Sequence, residues 1–162
     1  MRVLLVCLGN ICRSPVAEAA LRRSLAAAAV AGVEVASAGT DVWYPGEAPE
    51  PRMVAAAARL GLELDGTAHQ VTAEDLAGAD LVLAMDRRNL ADLERLAPGT
   101  AVRLYRSFGT PGDARDVPDP FVGEAGFDDV AAIAIDEAAH ITRWLAERGD
   151  PPGDQMARRT VR

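Results

Sequence analysis

Two cysteines and two histidines in 162 residues leave little material for a structural metal site. Tetrahedral zinc takes four ligands, drawn mostly from Cys and His. The candidates are Cys7, Cys12, His69 and His140, and neither histidine stands in a ligand spacing. The count argues against zinc and excludes a disulfide framework. Basic charge is also short: 17 Lys and Arg against 24 Asp and Glu give a formal net charge of −7. That removes the broad basic face of a general nucleic-acid binder, while leaving room for one local basic pocket. Long apolar runs are missing too. Val3–Leu8 is too short for a membrane span or for the apolar core of a signal peptide. A cytoplasmic protein without nucleic-acid or membrane partners is the expectation.

What is present is an ordinary globular composition, 49% hydrophobic, in a length that suits one domain. Short apolar runs alternate with helical patterns. Arg2–Cys7 reads as a strand buried on both faces, and Ser14–Val30 as a helix with Pro15 in its first turn and Gly32 ending it. A second strand is expected at Val33–Ala38 and a second helix at Ala48–Leu62, closed by Gly61. Asp80–Met85 is a third strand, Arg87–Ala97 a third helix and Ala101–Tyr105 a fourth strand. Gly126–Glu147 carries a long amphipathic pattern through Phe127, Val130, Ile141 and Trp144. This order implies an α/β domain over residues 1–148, with a parallel sheet and helices on both faces. The last fourteen residues, 149–162, read as a flexible tail. Two long Gly- and Pro-rich loops, Gly39–Pro51 and Ser107–Gly126, interrupt the rhythm where function often resides.

Both cysteines fall in one short stretch, VCLGNICRSP (Val6–Pro15), between the first strand and the first helix. Open parallel sheets bind ligands at the carboxyl ends of their strands. A strand-to-helix turn there aims backbone N–H groups outward above a helix N-terminus, which makes an anion site. Gly9 would relieve the tight curve, and Arg13 can add two parallel hydrogen bonds to a phosphate. A cation at a helix N-terminus is unfavourable without an anion, which favours that reading of Arg13 over a surface charge. The same field favours the thiolate of Cys7 without a histidine base. A thiolate under a bound phosphate can take the phosphoryl group, and the leaving oxygen then needs a proton. The second loop offers Asp113, Asp116 and Asp119. Asp119 is preferred because Pro120 stiffens its backbone and Phe121 can cover an aromatic substrate. Asp86 reads as a helix N-cap, His140 as structural, and Trp43 and Tyr44 as loop anchors, with Trp43 also able to line a cleft.

The string Cys7-Leu8-Gly9-Asn10-Ile11-Cys12-Arg13-Ser14-Pro15 resembles the signature loop of the low-molecular-weight protein tyrosine phosphatases. Ser37–Thr40, Trp43, Met85–Leu90 and Asp119–Phe121 follow in that family's order and approximate spacing, so the likeness runs from about Arg2 to Glu147. It implies an open twisted four-stranded parallel sheet in the flavodoxin-like order 2-1-3-4. It also implies Cys7 as nucleophile, Arg13 as phosphate clamp and Asp119 as general acid and then base. Ser14 would hydrogen-bond the sulfur, Asn10 would hold the loop, and Leu8, Gly9, Ile11 and Cys12 would complete the cradle. Trp43 and Phe121 would wall the substrate. Cys12 would be a redox partner able to form a reversible disulfide with Cys7. No metal or organic cofactor is implied, and the partner would be a tyrosine-phosphorylated protein or a small aryl phosphate.

Three departures from the family pattern stand out. Gly66 takes the place of a histidine that commonly supports the loop asparagine, a support that is then missing unless His69 supplies it. Phe121 and Val122 stand where many members carry two tyrosines, so regulation by phosphorylating those tyrosines is not available. The Asp-Pro-Phe string also occurs in relatives acting on phosphoarginine, although those tend to carry threonine at the position of the apolar Ile11. A protein-arginine phosphatase is therefore the alternative on the same scaffold, and a weakly catalytic phospho-binding module another. A thiol-dependent arsenate reductase would need further cysteines downstream, and none follows Cys12.

Overall fold

In the computed structural model, residues 1–43, 45–109 and 116–148 are described. Tyr44, Asp113 and the segment read as a tail, 149–162, lie outside them. The sheet has four parallel strands in the order β2-β1-β3-β4: β1 Arg2–Cys7, β2 Glu34–Gly39, β3 Leu81–Ala84 and β4 Val102–Leu104. Among the described residues five α-helices connect and cover it: α1 Arg13–Ala27, α2 Pro51–Arg59, α3 Ala73–Ala77, α4 Arg87–Leu96 and α5 Phe127–Arg148. None among the described residues is long and apolar enough to cross a membrane.

The run Val3–Cys7 is apolar at every position because β1 is covered on both faces. Val3, Leu5 and Cys7 point to one layer, with Leu21 of α1, Met53 of α2 and Ile141 of α5. Leu4 and Val6 point to the other, with Leu76 of α3 and Leu93 of α4. Each fully buried leucine contributes about 1.5–3 kcal/mol of transfer free energy, so β1 is firmly held within the sheet. Its carboxyl end, at Cys7, is correspondingly fixed.

Several boundaries differ from the sequence expectation. α2 runs Pro51–Arg59 rather than Ala48–Leu62, because Glu50 takes the N-cap ahead of Pro51 and the Leu60 N–H turns back to Ala57 O. α1 stops at Ala27 rather than Val30. Val30 N–H reaches back to Leu25 O and Ala29 N–H to Ala26 O, which satisfies the helix's last carbonyls. Ala29 takes the left-handed conformation (φ +54°) that this closure demands, ahead of Gly32. β4 ends at Leu104; Tyr105 instead opens a 3₁₀ turn, Tyr105–Ser107, fully buried with its hydroxyl donating to Ala134 O at 2.7 Å. α3 was not anticipated. Its five residues are secured by Thr72, whose hydroxyl accepts from Asp75 N–H while the Asp75 carboxylate accepts from Thr72 N–H.

Candidate active site

The segment Leu8–Cys12 leaves the end of β1 and turns into α1, so Cys7 stands beside the first turn of that helix. Cys7 is buried, as are Cys12, Asn10, Arg13 and Ser14. Asn10 N–H donates to Cys7 Sγ at 3.2 Å, and Ser14 Oγ lies 3.0 Å from the same sulfur. Both groups are placed to donate to the sulfur. The two cysteines are free thiols. Burial, reinforced by charge on Cys7 and Asp119, pushes the Cys12 thiol far above its ordinary range, so Cys12 is a neutral thiol at neutral pH.

Asn10, rather than Gly9, carries the turn. Its φ is +54°, whereas Gly9 lies outside the left-handed region and a Cβ there would meet only Ile11 Cγ1 at 3.8 Å. Asparagine tolerates the left-handed region and also supplies a side chain to lock it. Its Nδ2 donates to Ser14 Oγ at 2.9 Å and Ser37 Oγ at 3.0 Å, and its Oδ1 accepts the His69 N–H at 2.8 Å. The glycine that the loop does require is Gly39, where a Cβ would come within 2.6 Å of Leu8 O. His69 therefore supports the loop, but through its backbone; its ring pairs with Asp75 at 2.8 Å. Gly66 only borders a cavity of about 160 Å³ shared with Asn10, Ser37 and Glu18. Burial raises the Glu18 carboxyl, although Ser37 donates to it at 2.5 Å.

Arg13 begins α1 with its charge against the helix dipole, and two carboxylates offset that cost. Nη1 donates to Asp86 Oδ2 at 2.6 Å and to Val117 O at 3.2 Å, while Nη2 donates to Asp119 Oδ2 at 3.2 Å. The anion inferred from Arg13's position is thus supplied within the chain. Burial opposes the guanidinium charge, but Cys7, Asp86 and Asp119 outweigh it and raise the pKa further. Asp86 caps α4, accepting from Asn89 N–H at 2.7 Å, as expected. Its second oxygen, on Arg13, is a role that sequence reasoning missed, because an N-cap aspartate looks the same whichever way its other oxygen faces.

Asp119 and Asp116 have separate places. Asp116 Oδ1 accepts Arg87 N–H at the start of α4, and its carbonyl accepts from Arg106, so it is spent on holding the loop. Asp119 reaches Arg13 and also accepts Phe121 N–H at 3.0 Å on Oδ1. Phe121 is half exposed, and Trp43 is 69% exposed with its indole N–H on Asp41 at 3.2 Å. Ile11 is partly buried against the core. Leu8 borders a neighbouring cleft of about 490 Å³ with Thr40, Asp41 and Arg88, which contains neither Cys7 nor Arg13. His140 packs beneath Gly109, where a Cβ would lie 2.1 Å from its ring. Among the described residues no group of three or more His, Cys, Asp or Glu could hold a metal ion.

A buried sulfur receiving a hydrogen bond, a guanidinium and the Asp119 carboxylate meet here from segments far apart in sequence. Known proteins share the arrangement's frame. The family model described as low molecular weight phosphotyrosine protein phosphatase matches residues 2–148. The low molecular weight protein-tyrosine-phosphatase of Streptomyces coelicolor is 43% identical over 160 residues, covering 94% of this chain and 96% of its own. A protein tyrosine phosphatase from Entamoeba histolytica, solved with Hepes in its active site, superposes with a TM-score of 0.84 at 31% identity, covering 91% of this chain and 97% of its own. The YwlE arginine phosphatase of Bacillus subtilis, solved with a phosphorylated active site serine, gives a TM-score of 0.81 at 26% identity, with 91% and 97% covered. The chain belongs to the low molecular weight phosphotyrosine protein phosphatase family.

Proposed function

We propose that this protein hydrolyses phosphotyrosine in proteins, or small aryl phosphates, through a phosphocysteine intermediate. The Cys7 thiolate attacks phosphorus while the bond to the phenolic oxygen breaks, and Asp119 delivers its proton to that oxygen. In the second step Asp119, now a carboxylate, takes a proton from water as the water attacks phosphorus. The phosphorus–sulfur bond breaks, inorganic phosphate leaves, and the Cys7 thiolate is restored. Arg13 binds two phosphate oxygens in the plane of its guanidinium, stabilising the charge that spreads over them in the transition state. Ser14 and the Asn10 N–H steady the sulfur as nucleophile and leaving group.

The observation that carries this reading is that one short segment at the end of β1 makes both the Cys7–Ser14 contact at 3.0 Å and the Arg13–Asp119 ion pair at 3.2 Å. In the substrate-free arrangement Asp119 neutralises Arg13. A phosphate dianion competes for the same guanidinium, so binding substrate releases the Asp119 carboxylate, which takes up from solvent the proton that it then delivers. Two features support an aromatic substrate over phosphoarginine, the apolar Ile11 and the exposed ring of Trp43, while Phe121 is neutral because Asp-Pro-Phe also occurs in relatives acting on phosphoarginine. Cys12 we read as the redox partner: its thiol condenses with a Cys7 sulfenic acid, forming the disulfide and releasing water.

The test compares turnover of a phosphotyrosine peptide and a phosphoarginine peptide, with Cys7→Ser as control. Phosphotyrosine turnover abolished by the substitution is the expected result. Preference for phosphoarginine keeps the chemistry and overturns the substrate; no turnover of either peptide overturns both and leaves a binding module.

A further inference from the structure

Arg52 stands at the second position of α2, where a cation opposes the helix dipole, as Arg13 does in α1. Three groups offset that position. Its Nε donates to Glu50 Oε1 at 2.7 Å, and its guanidinium carbon lies 5.2 Å from the Phe121 ring centroid and 4.7 Å from that of Phe127. The two rings meet edge to face with centroids 5.5 Å apart, so the cation and both rings form one packed unit. One end of the unit is tied to the cysteine loop, because Glu50 N–H donates to Ile11 O at 2.8 Å. The other end is tied to the acid, because Phe121 N–H donates to Asp119 Oδ1 at 3.0 Å.

We propose that Arg52 is a positioning residue for Asp119: it clamps Phe121 against Phe127 and so keeps the Phe121 N–H under the Asp119 carboxylate while substrate occupies Arg13. The proposal rests on the reading of Asp119 as general acid. Asp119 has two side-chain restraints, Arg13 on Oδ2 and Phe121 on Oδ1. A bound phosphate removes the first, and the second then sets where the acid points. Phe121 and Val122 are too exposed to hold that segment by burial, at 48% and 72%. The contact with Arg52 and Phe127 does so instead. A planar guanidinium can lie over both rings while its Nε stays on Glu50, a combination an ammonium does not offer.

The experiment measures kcat/KM of the full chain on aryl phosphates whose leaving phenols range from strongly acidic to as weakly acidic as tyrosine. A working general acid flattens that dependence, and its loss steepens it. Asp119→Asn calibrates the full effect. Arg52→Gln is expected to lose about tenfold on the weakly acidic phenols and less than about twofold on the most acidic one, a fraction of the range an acid provides. Phe121→Leu, which keeps apolar bulk but removes the ring, should show the same selective loss. In the Asp119→Asn background, Arg52→Gln should cost nothing further, since both act through one proton. An equal loss across the series, no loss at all, or a further loss in that background overturns the proposal. If Asp119→Asn itself leaves the dependence flat, the acid assignment fails first and takes this inference with it.

Discussion

Asp86 and Arg13 show how much of the site depends on single atoms. The guanidinium is almost fully buried, and its shortest bond is to Asp86 Oδ2 at 2.6 Å. Removing one member of a buried pair costs about 3–5 kcal/mol when the other is left uncompensated, and less here because Asp119 still faces Arg13. Asp86→Ala should therefore lower both Tm and kcat/KM, because Arg13 loses the partner that aims it. Asp86→Asn keeps the cap on α4 and should recover most of the Tm while kcat/KM stays at least about tenfold down, one order being about 1.4 kcal/mol of transition-state stabilisation. Equal recovery of both would mean that Asp86 serves only the helix. Arg13→Lys retains the charge but loses the paired geometry, and should abolish most turnover with little change in fold.

At the scale of elements, α1 and α3 make independent predictions. Ala29 holds a left-handed φ that closes α1, a conformation costing roughly 1 kcal/mol for a residue with a Cβ. Ala29→Gly relieves it, and urea unfolding should show a gain of up to about 1 kcal/mol, moderated by glycine's freedom in the unfolded chain. The Asp75 carboxyl is opposed by its partial burial, yet hydrogen bonds from His69 and Thr72 hold it below the ordinary aspartate value. A carboxyl depressed in the folded state stabilises above its unfolded pKa, and that contribution fades as pH falls through the folded one. Asp75→Asn should therefore be clearly destabilising at pH 7 and much less so near pH 3. A penalty independent of pH would assign the effect to the capping geometry alone.

For the whole molecule, the acidic net charge and the proposed phosphate site are separable. A net charge of −7 repels anions at long range, whereas a phosphate that displaces Asp119 from Arg13 would be held locally. Inorganic phosphate at about one hundred times its dissociation constant should stabilise the fold by about 2.7 kcal/mol. For a chain of this size that is a Tm rise of roughly 5–10 °C. Chloride at equal ionic strength should give little of it. Arg13→Lys should lose most of the shift, whereas Arg52→Gln should retain it.

Local chemistry made much of this legible in the chain itself. The unbroken apolar run of β1, the amphipathic face of α5 and the Pro15 start of α1 follow from side-chain periodicity and backbone restriction, and they imply the parallel sheet. The residue types of the loop Cys7–Pro15 carried the family resemblance that the family model bears out over residues 2–148. Tertiary structure decided what depends on distance through space. It made Asn10 rather than Gly9 the turn residue, gave His69's backbone the task looked for in a side chain, and turned Asp86 toward Arg13. It separated Asp116 from Asp119, two aspartates that local sequence cannot rank by contact. Periodicity encodes which face of an element is buried; it carries no record of which polar atoms from distant segments arrive at the same point, and that meeting is set only when the whole sheet and its helices pack.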